Sequence, residues 1–84
     1  MAQFDVRVVV SLKPGVLDPQ GDAIEKSLRG VGFDGVMGVR SGKVFDVKIA
    51  AAGPDEALEA ARAMASRVLA NPVLEVFTVE GAPL

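Results

Sequence analysis

Phe4, Val6, Val8, Val10 and Leu12 fall on alternate positions, with Asp5, Arg7 and Ser11 between them. This period of two predicts a half-buried strand over 4–12, whose polar side is broken only by Val9. Lys13-Pro14-Gly15-Val16 then reads as a type II turn, with Pro second and Gly at the position that needs a positive φ. Asp18-Pro19 is a helix start: Asp caps an orphan backbone N–H, and Pro at the first helical position has no N–H to leave orphaned. Ile24, Leu28 and Val31 recur at helical spacing over about three turns, and Gly30 or Gly32 supplies the stop.

Residues 36–40 and 43–51 are two β-prone runs separated by Ser41-Gly42, the spacing of a two-residue hairpin. Phe45, Val47 and Ile49 share one face of the second run, opposite Asp46 and Lys48. Gly53-Pro54-Asp55-Glu56 opens a second helix with acids in its first turn, where the macrodipole favours them. Its apolar stripe is Ala57, Ala61, Met64 and Val68, flanked by Leu58, Ala65 and Leu69, and Asn71-Pro72 ends it. Residues 73–80 return to β character with apolar groups on both faces, which predicts a strand covered on both sides.

The predicted order, β-α-β-β-α-β, is that of a ferredoxin-like α+β two-layer sandwich. One domain spans 1–80, with a short tail at 81–84. Both helices are expected on one face of a four-stranded antiparallel sheet. Val9, Val44, Ala50 and one side of the last strand put apolar atoms on the other face, where a second subunit is expected to sit, as in a homodimer.

Composition narrows the chemistry. With 84 residues the core is thin, which makes help from a partner a natural expectation. There is no Cys, hence no disulfide, no thiolate nucleophile and no Cys-ligated metal. There is no His either, which removes the usual neutral-pH acid-base group and the Ser-His and facial-triad constellations. Nine basic against eleven acidic residues give a net charge of −2, which argues against a broad nucleic-acid footprint. The chain has only four aromatics, all Phe, and Phe4 and Phe45 are committed to the core, so base stacking on the sheet is not expected. No signal-peptide pattern or long apolar window is present, so a cytoplasmic protein with no membrane role is expected.

Residues 13–21 form the densest irregular segment, and local structure explains most of it. Gly21 is left over, because Gly weakens a first helical turn unless something approaches the backbone there. Gln20 has no capping duty and should point outward. Lys13 beside a helix N-terminus suggests an anion site, against which Asp18 has the wrong sign. Asp5, Arg7, Asp46 and Lys48 alternate on one sheet surface, where cross-strand ion pairing accounts for them without a catalytic dyad.

The stretch VSLKPGVLDPQG at 10–21, followed about fifty residues later by LANPVLE at 69–75, resembles the PurS family, the small subunit of phosphoribosylformylglycinamidine synthase. Gly32-Phe33-Asp34, the run Val39-Arg40-Ser41-Gly42-Lys43 and Glu56-Ala57-Leu58 extend the resemblance over nearly the whole chain. The resemblance implies a non-catalytic subunit of a purine-biosynthetic ligase complex. It would form homodimers or tetramers, bridge a glutaminase subunit and an ATP-dependent synthetase subunit, and aid passage of ammonia between them. ATP, Mg and glutamine would be used by those partners, with no cofactor, metal or catalytic residue in this chain. Partner contacts would fall on Lys13, Pro14, Gly15, Asp18, Pro19, Gln20 and Gly21, with Asn71 and Pro72 as further positions. Among these, Gln20 and Lys13 are expected to touch a partner, and Asp18 and Pro19 to hold the helix start. The alternative is a regulatory module of the same fold that binds a small molecule at a dimer interface; an enzyme in its own right would need Asp, Glu or Lys chemistry in a dimer cleft.

Overall fold

The computed structural model describes residues 1–82. Strand β1 (Ala2–Leu12) is central in a three-stranded antiparallel sheet, between β2 (Gly42–Ala51) and β3 (Glu75–Ala82), in the order β2-β1-β3. Register is fixed by the alternation of β1: Val6 faces Val47, and Val8 lies between Phe45 and Val79. Val6, Val8 and Val10 are buried, as the period of two predicts.

Helix α2 (Pro54–Met64) and a π-helical turn (Ala65–Leu69) cover that face. Ala57, Ala61 and Ala65, four apart, are its buried contacts, and their small side chains let the helix sit close on the valines. The π turn closes through Ala70 N–H to Ala65 C=O, 2.9 Å, and its wider winding turns Val68 out to 79% exposure. The stripe thus runs along alanines, and the predicted Met64 and Val68 lie outside it. On the opposite sheet face Arg7 pairs with Asp46 (2.9 Å) and Lys48 with Asp5 (3.8 Å), beside Val9 and the exposed Val44 and Val76.

The predicted fourth strand and the Ser41-Gly42 hairpin are absent: residues 36–41 take no regular structure, and Gly42 is already the first residue of β2, opposite Ser11. The physical reason is a set of ties from this segment back to the loop after β1. Ser41 N–H and Oγ both donate to the Asp18 carboxylate (2.6 and 2.7 Å), and the Arg40 guanidinium donates to Lys13 C=O and Val16 C=O. Held this way, the segment cannot turn back on β2.

Helix α1 (Pro19–Gly30) also departs from expectation, because it does not lie on the sheet. Its only buried residue is Gly21, and no described α1 residue joins the core cluster. It ends in a Schellman stop: Phe33 N–H donates to Leu28 C=O and Gly32 N–H to Arg29 C=O, with Gly32 at φ +106°. The chain then returns along the helix, where Arg29 donates to Val36 C=O (2.9 Å). Helix and return segment form an arm, and the molecule measures 51 × 28 × 13 Å. Its radius of gyration is 16.3 Å, against about 12 Å for a compact chain of this length.

The last strand begins at Glu75, after a turn at 72–74, and runs through Gly81 and Ala82, so part of the predicted tail is strand. Pro83 and Leu84 lie outside the described residues. As an edge strand β3 is covered on one side only, and Val76 on the other is 43% exposed.

Candidate functional site

The loop at 13–21 is built as its residues dictate. Val16 N–H donates to Lys13 C=O (3.1 Å) and Gly15 has φ +86°, which makes the type II turn. The Asp18 side chain accepts from Gly21 N–H at 2.9 Å, and Pro19 opens α1. Asp18 is 3% exposed, and its three hydrogen bonds, from Ser41 N–H, Gly21 N–H and Ser41 Oγ, pull its carboxyl down to about 2. It is a permanent anion that ties two loops, with no capacity left for proton transfer near neutral pH.

Gly21 is explained by the same junction. A β-carbon there would overlap the Val39 carbonyl oxygen and come within 2.7 Å of Asp18 Oδ2. What approaches this backbone is the chain's own return segment. Asp18 and Gly21 are therefore inside the frame, whereas Pro14, Gly15, Pro19 and Gln20 are exposed and Lys13 is half-buried. Leu17, which its place before the Asp18 cap suggests as a hydrophobic staple, stands instead at 71% exposure.

The second motif adjoins the first. Lys13 N–H donates to Leu74 C=O at 2.9 Å, which brings the turn at 71–75 against the loop. Asn71 shapes this turn: its Oδ1 accepts from Val73 N–H, and its C=O accepts from Leu74 and Glu75 N–H. Glu75 answers by accepting from Asn71 N–H at 2.7 Å, and this bond, helped by Lys43 at 3.4 Å, lowers its carboxyl from the usual value. Asn71 and Pro72 are both exposed. Two shallow clefts flank the junction, one of about 260 Å³ bordered by Asp18, Gln20, Ser41, Lys43 and Glu75, the other of about 290 Å³ beside Pro72, Val76 and Phe77.

Sequence reasoning missed Ser41, Arg40 and Glu75 as parts of this junction. The one signal was Gly21, whose cost in a first helical turn announced a close neighbour without saying which. Among the described residues no three acidic side chains gather as a metal site, and no helix is long and apolar enough to cross a membrane. The carboxylates of the junction are spent on backbone N–H groups. Leu17, Gln20 and Pro72 stand exposed around these ties.

The fold is that of a small α+β chain whose two motifs meet in one exposed junction. Residues 5–83 match the PurS family model, described as phosphoribosylformylglycinamidine (FGAM) synthase, and the chain belongs to that family. It is 40% identical over 72 residues to the phosphoribosylformylglycinamidine synthase subunit PurS of Archaeoglobus fulgidus, covering 86% of this chain and 90% of that one. The structure of Thermus thermophilus PurS superposes with a TM-score of 0.84 at 39% identity, covering 98% of this chain and 100% of the other. A chain of PurLQS from Thermotoga maritima superposes with a TM-score of 0.89 at 29% identity, again over 98% and 100%. The chain is thus a PurS subunit of FGAM synthase, the assignment the sequence resemblance implies.

Proposed function

We propose that this chain works without an active site of its own, joining the ATP-dependent synthetase subunit to the glutaminase subunit and aiding the transfer of ammonia between them. The junction of 13–21 with 71–75 is the observation that carries this reading, because Asp18 and Gly21 are used in internal ties while the Gln20 and Leu17 side chains stand exposed at its surface. Gln20 and Lys13 reach a partner from this end, and Asp18 with Pro19 holds the platform. The chain acts in the cytoplasm as a homodimer or tetramer, and ATP, Mg and glutamine are bound by the larger subunits. The occurrence of the Thermotoga maritima neighbour within a PurLQS structure supports assembly of this kind.

Co-elution on gel filtration tests the reading. Mixed with its synthetase and glutaminase, the wild-type chain should migrate with both. The Lys13→Ala, Gln20→Ala double variant should elute alone while keeping its far-UV spectrum. Migration of the double variant with both subunits would remove Lys13 and Gln20 from the contact.

A further inference from the structure

Packing does not account for the shape of the loop after β1. Pro14, Gly15 and Leu17 are exposed and Val16 is half-buried, and a β-carbon on Gly15 would meet nothing within 4 Å. None of them belongs to the core or to the side chains packed against it. Backbone bonds secure the loop at its base, where Lys13 N–H donates to Leu74 C=O and Val16 N–H to Lys13 C=O. One side chain closes it. Arg40 Nη1 donates to Val16 C=O at 3.1 Å and Nη2 to Lys13 C=O at 3.3 Å, and among the described residues no other side chain hydrogen-bonds to 13–17. The planar fork of a guanidinium spans two carbonyl oxygens at once, which the single ammonium of Lys does not reproduce. Arg40 works from a fixed base, because the next residue, Ser41, gives its N–H and Oγ to the buried Asp18 carboxylate at 2.6 and 2.7 Å.

We infer that Arg40 is a positioning residue for partner binding: it sets the shape in which loop 13–17 meets another subunit, through the Lys13 and Val16 carbonyls and without touching that subunit. This rests on the reading of the junction as a partner surface and adds to it the side chain that holds the loop ready before the partner arrives. The physical basis is preorganisation. A loop that is free in the unbound chain has to be ordered on binding, and the conformational entropy lost there weakens the complex. The fork removes that loss through bonds to backbone oxygens, so the Lys13 and Leu17 side chains stay available to a partner. Gln20 lies outside its reach, since the Asp18 cap and α1 hold it instead.

Two measurements test this. Hydrogen exchange on the free chain reports the hold itself. Arg40→Ala and Arg40→Lys should each speed exchange at the Val16 amide by about 10-fold and leave the Gly21 amide, bonded to Asp18, at its wild-type rate. Wild-type exchange at Val16 in either variant, or a Gly21 rate that rises in step with it, would overturn the assignment. Dissociation constants for the synthetase and glutaminase subunits report the consequence. Both variants should bind about 10-fold more weakly than the wild type. Lys13→Ala removes the side chain but keeps the carbonyl, so its effect should shrink in the Arg40→Ala background, whereas the effects of Gln20→Ala and Arg40→Ala should multiply. Multiplying effects of Lys13→Ala and Arg40→Ala would make Arg40 a separate contact and overturn its positioning role, as would wild-type affinity in Arg40→Lys. A wild-type chain that binds neither subunit would overturn the junction as a partner surface, and the exchange result separates that failure from a failure of Arg40 to hold the loop.

Discussion

The two helices begin alike and end differently. Each has Pro at its first position, acid in its first turn and an apolar stripe at helical spacing. α2 sets Ala57 and Ala61 on the buried valines of β1, and α1 buries Gly21 alone. The body of sheet and α2 is held by apolar burial; the arm is held at its base by polar ties from Asp18, Arg40 and Arg29. An amphipathic helix therefore states that it needs an apolar partner, and leaves open whether that partner lies in the same chain.

Side-chain truncation should separate the two regions most sharply. Val8→Ala opens a void beneath α2, where Val8 is fully buried, and should lower stability by about 2 kcal/mol in urea melts. Val31→Ala, measured at a dilution where copies separate, should change stability by less than about 0.5 kcal/mol. Equal losses at both positions would mean that the arm is packed within the chain.

Glycines sharpen the contrast next. Gly21→Ala drives a β-carbon into the Val39 carbonyl, which as backbone yields less easily than a side-chain end, and should cost about 1–3 kcal/mol with faster hydrogen exchange at Ser41. Gly30→Ala, with nothing within 4 Å, should stabilise α1 by about 0.5 kcal/mol.

Acid should loosen the arm base. The folded carboxyl of Asp18 at about 2 lies below the ordinary 3.8, so its contribution is complete above that ordinary value and is lost as the pH falls from about 4 towards 2. Asp46 and Glu75, lowered by Arg7 and by Asn71 N–H respectively, act in the same direction. Asp18→Asn should lower stability at neutral pH and flatten the acid limb; an unaltered limb would remove Asp18 as its source. The smallest effect is expected at Arg7→Ala. Its ion pair with Asp46 has side chains 54% and 64% exposed, and the urea midpoint should not shift measurably.

What the sequence disclosed follows this division. The alternation of β1, the Pro14-Gly15 turn, the Asp18 cap and the start of α2 were legible because each is decided within a few neighbouring residues. The Ser41-Gly42 hairpin was misread because Asp18, 23 positions upstream, claims Ser41, and no local rule reports so distant a bond. The place of α1 was misread for the same reason: its stripe was visible, but not what covers it. Of the site, the motifs at 13–21 and 71–72 were visible as unusual segments. Their meeting through Lys13 and Leu74 depends on β1 and β3 pairing, which is a property of the whole sheet.

The central claim is that this chain joins two larger subunits and carries out no chemistry itself. Amidine formation by the reconstituted synthetase and glutaminase, with and without this chain, tests it most directly when glutamine and free ammonia are compared as nitrogen sources. The account predicts that omitting the chain abolishes the glutamine-dependent rate and largely spares the ammonia-dependent one. Equal glutamine-dependent rates with and without it would contradict the account.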